Sequence, residues 1–254
     1  MYKILANTIF LGKDIHFLSD CHSSNDIALQ LVREKRAKEG TIVICANQIK
    51  GKGQRGNSWE SESGKNLTFS LILQPDFLDV TEQFYLNMAI SVAVRRVLSD
   101  YLPDIQVKWP NDFVIRGFGK IGGILIENSL GYKSWEYAIV GIGLNINQQA
   151  FSTAGATSLR LMTGSSFDLE ELFRLIITQI EQVYIRLKQA AFALIKKEYL
   201  SYLYLWEEWE TFETRSGLLK GKISGLDPLG RLELRLENNE LQSFDFKEIR
   251  FPRI

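Results

Sequence analysis

Apolar side chains along this chain follow two alternating periods. Ile27, Ala28, Leu31 and Val32 recur at helical spacing behind Ser23-Ser24-Asn25-Asp26, whose polar side chains suit N-caps, and the spacing predicts a helix stopped by Gly40. The continuous run TIVICA then predicts a buried strand. After a glycine-rich basic segment, Leu67, Phe69, Leu71 and Leu73 alternate with Thr68, Ser70 and Ile72, as along a strand. Helical spacing returns over residues 82–101 through Phe84, Met88, Ala89, Val92 and Val97, with Pro103 just beyond. Three strand-like stretches follow, VKW, GGILIE and WEYAIVGIGLNIN, separated by PND and the turn GFGK. Next come two helices, the first carrying Leu169, Leu172, Phe173, Ile176, Ile180, Val183 and Leu187 on one face.

From about residue 214 the pattern changes again. Leu232, Leu234 and Leu236 alternate with charged residues, and DPLG makes a turn between strands. Such a module is too short to hold a large core alone, so it is expected to pack on the main domain. The expected division is therefore 1–213 and 214–254.

Composition narrows the reading. A 254-residue chain with 45% hydrophobic and 24% charged residues is an ordinary globular sequence, which excludes a disordered one. Thirty Lys+Arg balance thirty Asp+Glu, so no global field draws the protein to nucleic acid or an anionic membrane, and any anion must be bound locally. The N-terminus lacks the layout of a signal peptide, and no stretch approaches about 18 uninterrupted apolar residues, which predicts a cytoplasmic protein without membrane contact. Cys21 and Cys45 are distant in sequence, and Cys45 sits within TIVICA, which suits a buried thiol better than a disulfide or metal clamp.

Three segments carry candidate chemistry. Gly51-Lys52-Gly53-Gln54-Arg55-Gly56 has the letters G-x-G-x-x-G after a strand, yet a dinucleotide fold needs a helix opening at the third glycine, and here another strand follows. No Gly-Lys-Ser/Thr follows either, which excludes a phosphate-binding loop of the Walker A type. What remains is exposed backbone N–H groups, the cations Lys50, Lys52 and Arg55, and Trp59, together able to hold a phosphate and stack a base. A solvated basic loop would read the same way in isolation. Lys108-Trp109-Pro110-Asn111-Asp112 ends a strand in polar groups, and the paired glycines after Lys120 let a ligand approach the backbone closely. In VGIGLNIN the glycines leave an uncrowded strand face, and an amide such as Asn145 can read an adenine edge.

The order of these segments, SSND, GKGQRGNSW with SESGKNLTFSL, KWPND, KIGGILIE, VGIGLNIN and ATSL, resembles the biotin–protein ligase family from about residue 18 to 160. The resemblance implies an α+β fold, a mixed β-sheet flanked by helices and related to class II aminoacyl-tRNA synthetases, with a small SH3-like β-barrel module at the C-terminus. By position it implies that Ser23, Ser24, Asn25, Gln48, Lys52, Gly53, Gln54 and Lys120 contact biotin. Lys52, Gln54, Arg55, Asn57, Trp59 and Asn145 fall at ATP-binding positions, and Lys120 and Lys52 at catalytic ones. Biotin and ATP are the implied substrates, Mg²⁺ the implied metal with unknown ligands, and a biotin carboxyl carrier domain of acetyl-CoA carboxylase or a related carboxylase the implied partner; a homodimer is compatible with all of this. Many relatives carry arginine at the positions of Lys52 and Gln54, so this phosphate grip has one planar fork fewer and a neutral amide.

Other readings compete. A lipoate or octanoate ligase shares the fold and the two-step chemistry, but the polar SSND and Gln48 set suits a ureido head better than an alkyl dithiolane. A non-enzymatic biotin carrier would bind biotin and release no pyrophosphate. About twenty residues precede SSND, too few for a helix-turn-helix, so operator binding is not expected.

Overall fold

A computed structural model describes residues 5, 7–130 and 135–252, with the side chains of Arg55 and Leu130 outside that description. The first half runs β1 (Asp14–Cys21), α1 (Ser24–Arg33), β2 (Thr41–Gln48), β3 (Gly51–Lys52), β4 (Ser58–Trp59), β5 (Leu67–Leu73) and α2 (Gln83–Ser99). Then come β6 (Gln106–Lys108), β7 (Asp112–Ile115), β8 (Gly119–Leu130), β9 (Trp135–Leu144), α3 (Leu159–Thr163), α4 (Leu169–Lys188) and α5 (Phe192–Ser201). The chain closes with β10 (Trp209–Thr214), β11 (Gly217–Leu226), β12 (Leu232–Leu236), β13 (Leu241–Phe244) and β14 (Ile249–Arg250).

Seven strands form the main sheet in the order β1-β2-β5-β9-β8-β7-β6. Only β1 and β2 pair in parallel, joined through α1, while the other pairs are antiparallel. This is the mixed sheet and α+β class expected from the sequence. Helices cover both faces. Phe69 and Leu71 of β5 join residues of α2 and α4 in the large core, with Phe69 edge-on to Phe173 at 5.2 Å. On the other face Ala28 and Leu31 of α1 pack on Val43, Ile72 and Ile139. The strand expected from the alternation of Leu67, Phe69, Leu71 and Leu73 is β5, and cover on both faces buries it throughout.

Three local expectations are corrected. The first helix ends at Arg33 rather than running toward Gly40, because Lys35 takes a left-handed φ of 56° and the Arg36 N–H turns back to donate to the Leu31 carbonyl at 2.8 Å. Ser23 stands at the N-cap with no side-chain cap bond; the Ser24 N–H instead donates to Gln48 Oε1 at 2.7 Å, so the end of β2 caps α1. The stretch between PND and GFGK is a strand of its own, β7, and α3 is a further helix; both are short enough for turn residues to mask their periodicity.

The five C-terminal strands form an antiparallel sheet ordered β13-β12-β11-β10-β14, compatible with the SH3-like module. β10 begins at Trp209, ahead of residue 214, and pairs with both β11 and β14. The buried Trp109 indole donates to the Gly230 carbonyl at 3.0 Å, and Lys196 Nζ donates to the Leu226 carbonyl at 2.7 Å, joining the module to the main sheet and to α5.

Candidate active site

One cleft of about 1000 Å³, its open mouth included, collects most of the singled-out residues: Ser23, Ser24, Asn25, Gln48, Lys52, Gly53, Gln54, Asn57, Trp59 and Lys120 all line it. Its floor is the face of β8 and β9 opposite α2 and α4, where Gly123, Gly141 and Gly143 replace side chains. Each glycine leaves room that something specific occupies. A Cβ on Gly141 would collide with the Asn25 amide, and one on Gly143 would come within 2.6 Å of the Trp59 ring.

At one end, hydroxyls and amides are locked together. Ser70 Oγ lies 2.7 Å from Ser24 Oγ and donates to Asn25 Oδ1 at 2.5 Å, while Asn25 Nδ2 donates to Glu127 Oε2 at 2.7 Å. Ser23, Ser24, Asn25 and Ser70 are buried, so these bonds fix side-chain directions in a region that water barely reaches. Ser70 and Glu127 were not singled out from the sequence. Ser70 was legible as a polar break in an apolar strand; Glu127 is identified only by the pairing of β8 with β9.

At the other end lie the cations. Lys120 Nζ is 2.7 Å from Asp112 Oδ1 and 5.6 Å from the centre of the Trp59 ring. Lys52 is ion-paired with Asp26 in the first turn of α1, and that hydrogen bond raises its pKa above the usual lysine range. Lys108 runs the other way, since burial lowers its pKa and Lys120 adds repulsion, against an opposing pull from Asp112. Among the described residues Asp112 is the only carboxylate lining the cleft, and its place inside PND was the signal that could have marked it.

The basic segment is more structured than its glycines suggest. β3 and β4 pair as a two-residue ladder, and a 3₁₀ turn spans Gln54–Gly56. The side chain of Arg55 lies outside the described residues. Asn145 does not line the cleft. It is buried below, donating through Nδ2 to the Thr157 carbonyl at 3.0 Å, and its Oδ1 is buried without a partner. Cys21 and Cys45 are free, buried thiols. Among the described residues, no cluster of three or more His, Cys, Asp or Glu could hold a metal, and no helix is long and apolar enough to cross a membrane.

Known proteins resemble this chain over most of its length. The bifunctional ligase/repressor BirA of Bacillus subtilis strain 168 is 32% identical over 227 residues, 87% of this chain and 69% of the relative. The biotin–[acetyl-CoA-carboxylase] ligase of Paracoccus denitrificans is 29% identical over 202 residues, 76% of this chain and 83% of that one. A solved structure, the biotin protein ligase from Aquifex aeolicus in complex with biotin and ATP, superposes with a TM-score of 0.77 at 26% identity, covering 95% of this chain and 100% of that one. Residues 18–145 match the family model described as biotin/lipoate A/B protein ligase, and all cleft-lining residues fall within that span. The chain belongs to the biotin/lipoate A/B protein ligase family.

Proposed function

We propose that this chain is an ATP-dependent biotin–protein ligase, which forms biotinyl-5′-AMP and transfers biotin to a lysine of a carboxylase carrier domain in the cytoplasm. The observation that carries the reading is the polarity of the cleft along its length. A buried hydroxyl-and-amide end around Ser24, Asn25 and Gln48 suits a ureido ring, and a cationic end with Lys120 and Trp59 suits a nucleotide phosphate and base.

The chemistry needs alignment and positive charge rather than a protein nucleophile. A biotin carboxylate oxygen attacks the α-phosphorus of ATP in line, a new P–O bond forms, and pyrophosphate leaves with the electrons of the broken one. Lys120 and Lys52 offset the negative charge that grows on the transferring phosphoryl group. In the second step a neutral carrier amine attacks the acyl carbon, AMP leaves, and the amine loses its extra proton to solvent. The hairpin β3–β4 with Gln54 and Asn57 shields the anhydride from water in between. Asn145 supports the nucleotide end from below, holding the Thr157 carbonyl of the segment that bonds to Lys120. Asp112, the one carboxylate among the described residues of the cleft lining, could lend one oxygen to Mg²⁺, which would otherwise be held by the nucleotide and water. We place the division between catalytic domain and module before Trp209, where the small sheet begins.

Incubation with biotin, MgATP and a carrier domain, followed by intact-mass measurement, tests the proposal. A carrier gain of one biotinyl group is expected. Modification with lipoate instead of biotin would favour the alternative acyl substrate; biotin binding without pyrophosphate release would make the chain a carrier.

A further inference from the structure

Glu60 follows Trp59 at the exit of the hairpin and takes no part in the chemistry above. Its carboxylate accepts four hydrogen bonds from one short segment: the Ser152 N–H at 3.0 Å and hydroxyl at 2.7 Å, and the Thr153 N–H at 3.1 Å and hydroxyl at 2.8 Å. That segment continues to Lys120. The Lys120 N–H donates to the Gly155 carbonyl at 2.7 Å, the Thr157 N–H donates to the Lys120 carbonyl at 2.9 Å, and Lys120 and Ala156 form a parallel bridge. Asn145 holds the same segment through the Thr157 carbonyl. The contacts therefore close a ring from Trp59 through Glu60 and residues 152–157 to Lys120, whose ammonium stands 5.6 Å from the Trp59 ring.

We propose that Glu60 is a positioning residue that sets the spacing between Trp59 and Lys120 and so pre-forms the nucleotide end of the cleft, an inference that rests on the ATP-using reading. Without the clamp, the two sides remain tied through the sheet and through Gln148, whose side chain accepts from the Glu62 N–H at 2.9 Å and whose carbonyl accepts from the Ser158 hydroxyl at 2.6 Å, but residues 152 and 153 lose their hold on the strand that carries Trp59, and binding ATP must order them as well as the nucleotide. The backbone and hydroxyl donors, Ser152 first, hold the Glu60 carboxyl down to about 2. The depressed value means the clamp is present above the unfolded carboxylate range and is lost only as pH falls toward about 2, so it persists at neutral pH.

The test compares the full chain with Glu60→Ala, Glu60→Gln and the double variant Ser152→Ala/Thr153→Ala. Pyrophosphate release is followed with MgATP varied at saturating biotin, and biotin affinity is measured separately by calorimetry. Glu60→Ala is expected to raise KM for ATP about tenfold with kcat and biotin affinity nearly unchanged. Glu60→Gln keeps one carbonyl oxygen, and the double variant keeps both backbone donors, so both should show smaller rises. Wild-type KM for ATP in all three overturns the proposal, as does a parallel loss of biotin affinity, which would mark general loosening. If Glu60→Ala does not fold, the double variant decides by the same criteria. A wild-type chain that releases no pyrophosphate with biotin overturns the ligase reading and this proposal together.

Discussion

Single side chains divide the labour in the cleft by charge. Lys120→Ala should slow adenylate formation roughly 10²–10³-fold, or about 3–4 kcal/mol, because it removes a cation needed most as charge builds on the phosphoryl group. Biotin affinity should change far less, and single-turnover pyrophosphate release beside calorimetry separates the two. Near-normal turnover would remove Lys120 from this role. Gln54, a neutral amide at the cleft mouth, should hold the anhydride less firmly than a cation, since a charge-assisted bond contributes about 1.5–3 kcal/mol against about 1 for a neutral one. Gln54→Arg is expected to slow escape of free biotinyl-adenylate, and equal release rates would refute the idea. These residues were legible because motif order fixes them. The pairing of Lys52 with Asp26 was not: the two are 26 positions apart, and only the return of the hairpin over α1 brings them together.

Among the elements, β9 carries the sharpest test because two of its glycines serve different ends of the cleft. Gly141→Ala drives a methyl group into the Asn25 amide and should weaken biotin binding, with ATP use affected less. Gly143→Ala displaces the Trp59 ring and should raise KM for ATP while sparing biotin affinity. Calorimetry with biotin and kinetics in ATP on both variants would expose the opposite pattern, or none. Strands and long helices were readable from their periods, which act over many residues. The end of α1 was not, since a left-handed Lys35 rather than a glycine stops it. β7 and α3 were missed because four- and five-residue elements carry too few positions to show a period. The cap on α1 comes from Gln48, 24 residues away, so no local N-cap rule could find it.

Across the whole molecule, polar contacts at long range hold the parts in register. The buried carboxylate of Glu181 on α4 accepts from the N–H groups of Ile9, Phe10 and Leu11 at 2.5, 2.8 and 2.8 Å, seating the segment ahead of β1. Glu181→Gln leaves one oxygen to accept and places an amide donor among N–H donors. A loss of about 1.5–3 kcal/mol in unfolding free energy is expected, read as a lower urea midpoint at unchanged slope. An unaltered midpoint would show the contact to be dispensable. Trp109→Phe removes the indole donor to Gly230, and a smaller loss of about 1 kcal/mol should appear in the same measurement.

The Glu181 contact also has a bearing on time. Residues 9–11 leave the ribosome about 170 residues before the carboxylate that receives them, as the sequence separation of 170 to 172 positions requires. At elongation rates of about 5–20 residues per second, that interval lasts on the order of ten seconds or more. Through it β1 can pair with β2 but has no α4 to fasten its leading segment, so the emerging sheet carries a loosely tethered edge strand. Such an edge is a template for pairing with other chains. Nascent chains stalled before residue 181 should therefore be cut by protease within residues 9–13 far sooner than chains stalled past α4.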